Sequence, residues 1–123
     1  MTVSQTIART DRLKPNSYAY PDKLQWLSQL DGRVKKEILD THEGGDDLPF
    51  VPYSERGGGD RELLIPAPYD ETYIHYLSAQ IDYFNGEYER FNNANSMFES
   101  TYAAFRNAYN REHLPKGGQR NYY

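Results

Sequence analysis

Ile74, Leu77, Ile81, Phe84, Tyr88 and Phe91 recur at alternating steps of three and four residues, with Tyr73 beside the first of them. That spacing places them along one side of a 3.6-residue helix, whereas a strand would scatter them over both faces. The register continues through Asn95 to Phe98, Tyr102, Phe105 and Tyr109, so the last third of the chain needs a partner surface for a long apolar stripe. Pro66, Pro68 and Asp70 precede it, with Asp70 placed as an N-cap. Unbroken, the stripe would make a helix of around 40 residues. A break is expected at residues 92–96, because Asn92, Asn93 and Asn95 are weak helix formers and Ser96 with Glu99 has the form of a capping box. Asn85-Gly86, a good C-cap dipeptide, is the rival break.

The first half supplies the partners. Thr2 and Gln5 form a capping-box pair, and Val3, Ile7 and Leu13 fit the buried side of a short helix that Pro15 ends. Residues 15–21 read as a turn. Pro21 and Asp22 then suit the first turn of a second helix, along which Leu24, Leu27, Val34 and Ile38 recur, widened by Trp26 and Leu30. Gly32 lies inside this pattern at a cost of about 1 kcal/mol relative to Ala, implying close packing or a bend.

From residue 41 to 61 the composition changes to Gly44, Gly45, Pro49, Pro52 and the run Gly57, Gly58, Gly59. Residues 48–53 and 62–65 are expected to pair as a hairpin with the glycines at its tip, exposed or unsupported in an isolated subunit. After Arg111, Pro115 and two glycines prevent further helix. The expectation is therefore a mainly α fold in one domain: a small helical bundle of about four helices over residues 1–112, with a Gly/Pro-rich loop or β-hairpin inserted at about 42–66 and an extended C-terminal tail at 113–123. Its core should hold Tyr73, Ile74, Leu77, Ile81, Phe84, Met97, Phe98, Tyr102 and Phe105, with Trp26, Leu27 and Val34 packed onto them.

Function classes narrow by elimination. Cysteine is absent, which excludes disulfides, thiolate zinc sites and cysteine nucleophiles and suits a reducing cytoplasm. No apolar run approaches the ~20 residues that cross a bilayer, and residues 1–13 lack a secretory signal's apolar stretch. The run at 57–59 is not followed by the Lys-Ser or Lys-Thr of a phosphate-binding loop. His42, Glu43, Asp46 and Asp47 match no metal-site spacing, and neither His75 nor His113 has triad partners. Asp82, Glu87 and Glu89 cannot all share one helix face, so they read as exposed charges rather than an acid–base set. No catalytic, cofactor or metal site is expected.

The formal net charge of −4 weighs against a broad nucleic-acid grip. Acids dominate residues 37–62, while Arg106, Arg111, Lys116 and Arg120 face only Glu112 toward the end. Such polarity suits head-to-tail contact between copies. Twelve Tyr against five Phe and one Trp fit half-wet interfaces, where the ring buries area and the hydroxyl keeps a partner.

In this order, particular residues resemble a known family. Leu13-Lys14-Pro15-Asn16, then Lys23-Leu24-Gln25-Trp26-Leu27 with Leu30-Asp31-Gly32, is similar to the start of head-to-tail connector (adaptor) proteins of tailed bacteriophages infecting Gram-positive bacteria. Glu62-Leu63-Leu64-Ile65-Pro66, Pro68-Tyr69-Asp70, Tyr76-Leu77 and Gln80-Ile81-Asp82 resemble the pattern leading into that family's main helix. So do Arg90-Phe91-Asn92-Asn93, Met97-Phe98, Tyr102, Phe105 and Tyr109-Asn110-Arg111, while residues 41–61 carry little of the likeness.

The resemblance implies a non-enzymatic structural virion protein in a ring of about twelve copies. That ring would sit in the neck between capsid and tail, dock below the portal protein and offer a surface to the next stopper or tail-completion protein. DNA would pass through it without sequence-specific binding, and assembly would occur in the host cytoplasm with no membrane involved. Partner contacts are assigned to Gly57, Gly58, Gly59, Arg111, Lys116, Arg120, Tyr122 and Tyr123. The tail is too polar to fold alone, yet it ends in two tyrosines that bury area at little entropic cost. The alternative is a small nucleic-acid-associated or regulatory module using the basic C-terminal tail, and an enzyme is a distant third.

Overall fold

The structure is a computed structural model that describes residues 1–42 and 50–113. Four α-helices follow one another: α1 (Val3–Leu13), α2 (Tyr20–Val34), α3 (Glu71–Phe84) and α4 (Tyr88–Glu112), with a π-helical segment, Lys35–Leu39, prolonging α2. The fold is the mainly α bundle that the periodicity predicts. Among the described residues there is no strand; Thr2 and Glu62 make an isolated antiparallel bridge.

Thr2 and Gln5 make the expected capping box on α1. Helix α1 buries Val3, Thr6, Ile7 and Thr10, but Leu13, its last residue, is exposed rather than buried. In α2, Leu24, Trp26, Leu27, Leu30 and Val34 are buried, and Ile38 and Leu39 continue that face through the π-helical segment. At Gly32 a Cβ would lie 3.9 Å from the Phe50 ring, an ordinary contact, so the packing there does not require glycine.

The expected hairpin does not form. Residues 48 and 49 lie outside the described residues, and 50–53 make no ladder with 62–65. The reason is where the backbone hydrogen bonds go. The first amides of a helix lack intrahelical acceptors, and here Val3 N–H donates to the Arg61 carbonyl and Ser4 N–H to that of Gly59, each at 3.0 Å. Leu63 N–H donates to the Met1 carbonyl at 3.1 Å. The glycine run is therefore bound to the start of α1 rather than being the tip of a projection.

Helices α3 and α4 form an antiparallel hairpin, with Tyr83 against Phe91, Tyr76 against Phe98 and Tyr69 against Phe105 in opposite chain order. The break falls at residues 85–87, not at 92–96. Gly86 takes a φ of +76°, where glycine is unstrained, and Asn92, Asn93 and Asn95 are carried on an unbroken α4 away from the buried core. Asp70 stands at the N-terminal boundary of α3 without a side-chain cap hydrogen bond; its carboxylate accepts from the Met1 amine at 3.3 Å instead. Tyr73, Ile74, Leu77, Ile81, Phe98, Tyr102 and Phe105 are buried as expected. Phe84 and Met97 are not core residues: they are 55% and 51% exposed, Phe84 as the last residue of α3 and Met97 because it is turned about 100° around α4 from the buried Phe98.

Candidate interaction surface

One side of the bundle is fixed by a buried carboxylate. Asp31, in α2, accepts from the hydroxyls of Tyr53 and Tyr73, the latter at 2.5 Å, and from Leu64 N–H at 3.1 Å. The Tyr73 oxygen in turn accepts from Ile65 N–H at 2.7 Å. Amides that a hairpin would have paired are thus satisfied by side chains from α2 and α3. Burial pushes the Asp31 carboxyl above its ordinary range despite these donors, and it pushes the Tyr73 hydroxyl well up, with the Asp31 charge adding to the effect. The Arg61 guanidinium covers the Tyr53 ring at 4.5 Å. This arrangement is saturated and inward-facing, so it holds the fold and leaves no room for a substrate.

A second fixed point is Asp82, whose carboxylate is buried and receives Lys14 Nζ at 2.6 and 2.8 Å. Asp82 is therefore not the exposed helix charge that the sequence suggested: it is buried and paired, whereas Glu87 and Glu89 are exposed. On the opposite flank Arg33 donates to Glu37 at 2.8 Å and lies 4.7 Å from the Tyr102 ring centre, while Tyr102 donates to Glu37 at 3.1 Å. Arg33 holds the Glu37 carboxyl below its usual range, and burial raises the Tyr102 hydroxyl to about 12. His42 is buried, with Nδ1 donating to the Ile38 carbonyl at 2.6 Å and its ring edge-on to Tyr109. Among the described residues no cluster of three or more His, Asp or Glu side chains could hold a metal ion, and no helix is long and apolar enough to cross a membrane.

Outward-facing apolar surface lies at both ends of the α3–α4 hairpin. At the turn, Tyr83, Phe84 and Tyr88 are exposed and contact one another edge-on through Tyr83. Nothing in α4 from residue 88 to 97 is buried, so this end stands as an aromatic knob. Tyr18 supports it from beneath: its ring meets Trp26 edge-on at 5.6 Å and its hydroxyl donates to Asn85 at 2.7 Å. At the other end the last turns of α4 and the segment preceding α3 enclose a groove of about 450 Å³, lined by Leu39, Leu64, Pro66, Pro68, Ala108 and Tyr109 among others.

The residues assigned to partner contacts do not gather in one place. Gly57 is exposed with a φ of +75°, Gly58 is buried and Gly59 packs on Ser4, all at the start of α1. Arg111 is exposed in the last turn of α4. Lys116, Arg120, Tyr122 and Tyr123 lie outside the described residues. The sequence reading missed the knob because it assigned Phe84 to the core; the Asn85-Gly86 turn beside it was the available signal. The groove had no local signal, since its walls are some 40 residues apart along the chain. No protein-family model, no curated protein and no solved structure matches this chain.

Proposed function

We propose that the chain is a structural subunit of a tailed-phage neck, one copy of a connector ring below the portal that extends the DNA channel and receives the next neck or tail protein. The observation that carries this reading is the exposed aromatic knob of Tyr83, Phe84 and Tyr88 on an otherwise very hydrophilic chain. Contiguous exposed aromatics on a small polar protein mark a surface that another protein covers. Two segments of the family likeness also meet in the fold, where Lys14 pairs with Asp82. The net negative charge fits a channel wall that lets DNA phosphates pass.

The test is to locate the chain by electron microscopy in intact virions of a phage that encodes it. Density for a ring of copies between portal and tail is the expected result. Absence from the virion, combined with salt-sensitive DNA retention in a low-salt gel shift, would replace this reading with the nucleic-acid-associated one. Removal of residues 116–123 should leave a folded subunit that joins portal-bearing heads poorly, giving heads that leak or lack tails.

A further inference from the structure

We propose that the groove between α4 and the segment 64–69 is filled by the same chain. Leu114 and Pro115, which follow α4 directly in the sequence, lie along it, with the Leu114 side chain against the wall that holds Leu64 and Pro66. Such a docked tail needs no second protein, so it stands or falls apart from the neck reading.

The chain leaves its last helix on the wall of the groove itself, because Glu112 and His113 line it together with Ala108 and Tyr109 from the turn before. His113 ends α4 with extended backbone, φ −132° and ψ 144°, while its N–H still donates to the Tyr109 carbonyl at 3.0 Å. Its ring lies flat on that of Tyr109, with centroids 3.8 Å apart and planes 8° from parallel. The backbone has thus left the helical path at the groove. Pro115 disfavours helical backbone at the residue before it, so Leu114 continues the extended course. Successive side chains of an extended segment point to opposite sides. With His113 laid on the α4 wall, Leu114 faces the wall across the groove.

Charge and tethering favour this occupant. Among the described residues the lining includes the acid Glu112 and no Lys or Arg. Residues 114–123 carry Lys116 and Arg120 and no acid, so the tail and the groove attract each other. A segment anchored at the groove meets it at an effective concentration on the order of millimolar, and a contact too weak to hold a free peptide then suffices. Without this contact, the Leu114 side chain would stand in water beside an open apolar surface. Seating Leu114 and Pro115 leaves Arg120, Tyr122 and Tyr123 available for the partner contacts assigned to them.

Nuclear magnetic resonance on the full, isotopically labelled chain tests the contact. The Leu114 methyls should show cross-relaxation with Leu64 and Ala67, and the Leu114 amide should be as ordered on the nanosecond scale as those of α4. Leu114→Asp should lose both signs of docking. A chemical readout is independent of these: the chain has no cysteine, and Ala67 is an exposed position in the lining. The thiol of Ala67→Cys should react with a maleimide roughly tenfold faster once Leu114→Asp is added.

Equal rates with and without Leu114→Asp would overturn the proposal. So would a Leu114 that moves as free chain and touches neither Leu64 nor Ala67 in the unaltered protein, a result that depends on no variant's folding. In a mixture of labelled and unlabelled copies the contacts should stay within one molecule. Contacts found only between copies would give the groove to a neighbour's tail and overturn the proposal as well.

Discussion

The indole of Trp26 stacks on the ring of Phe84 with centroids 5.6 Å apart and planes only 7° from parallel. Trp26 is 8% exposed while Phe84 is half in solvent, so this pair is the junction between the core and the knob. Phe84→Ala should remove only the buried half of a phenyl ring, costing about 1 to 1.5 kcal/mol. Phe98→Ala, fully inside, should cost about 3 to 5 kcal/mol. Trp26 is the chain's one tryptophan, so its emission should shift to the red in Phe84→Ala; an unshifted spectrum would contradict the stacking.

Asp31 gives a pH dependence with a definite sign. Burial raises its carboxyl above the ordinary 3.8. A group raised on folding contributes stability that is complete below its unfolded value and is lost as pH rises through its folded value. This residue should therefore favour the fold as pH falls from neutrality toward 3.8, opposite to Glu37, which Arg33 holds low. Asp31→Asn should flatten that acid-side gain in a series of melting curves. Asp31→Ala leaves two hydroxyls and an amide without their acceptor and should cost about 3 kcal/mol or more.

The three glycines should differ in tolerance. A Cβ at Gly58 would lie 2.0 Å from the Ser54 carbonyl oxygen, a backbone atom that cannot rotate aside. At Gly59 it would meet Ser4 Oγ at 2.3 Å, which can turn away, and at Gly57 it has open space but a φ of +75°. Gly58→Ala should therefore melt lowest of the three, and Gly57→Ala should lose about 4 °C. Equal melting temperatures for all three variants would contradict the close approach of Gly58 to the Ser54 backbone.

Lys14→Met should leave Asp82 buried without its cation, at a cost of about 3 kcal/mol. Adding Asp82→Asn should recover part of that loss, and a double-mutant cycle in denaturant measures the coupling. A coupling near zero would make the pair incidental to the docking of α1 on α3.

The helices were largely legible because their signals are local. Thr2 and Gln5 sit three residues apart, and the stripe from Ile74 to Tyr109 keeps its period over ten turns. Periodicity states which residues share a face but not how far a partner extends along it, and for that reason Phe84 was misplaced; Met97 adjoins Phe98 in sequence but lies off the stripe, about 100° around α4. The Asn cluster outweighed Asn85-Gly86 when propensity alone was weighed, although only the latter offered a positive φ where the chain turns back. The Asp31 contacts had no sequence signature: their partners lie beyond any local window, and an Asp beside a Gly reads as solvent-facing. The missing hairpin has the same cause, since the amides of Leu64 and Ile65 are taken up by side chains from distant helices.

The reach of Asp31 also bears on how the protein folds. Its three donors lie 22, 33 and 42 residues away, so desolvating the carboxylate is repaid only when α2, the 50–65 segment and α3 have all arrived. Local helix formation and the α3–α4 hairpin, which closes over only a three-residue turn, can precede that step. The carboxylate should be gathered in late, after the rate-limiting barrier, so weakening it should quicken unfolding far more than it slows folding. The segment carrying the glycines would then be the first to come away from the native state and the last to return to it, while the helical hairpin persists without it.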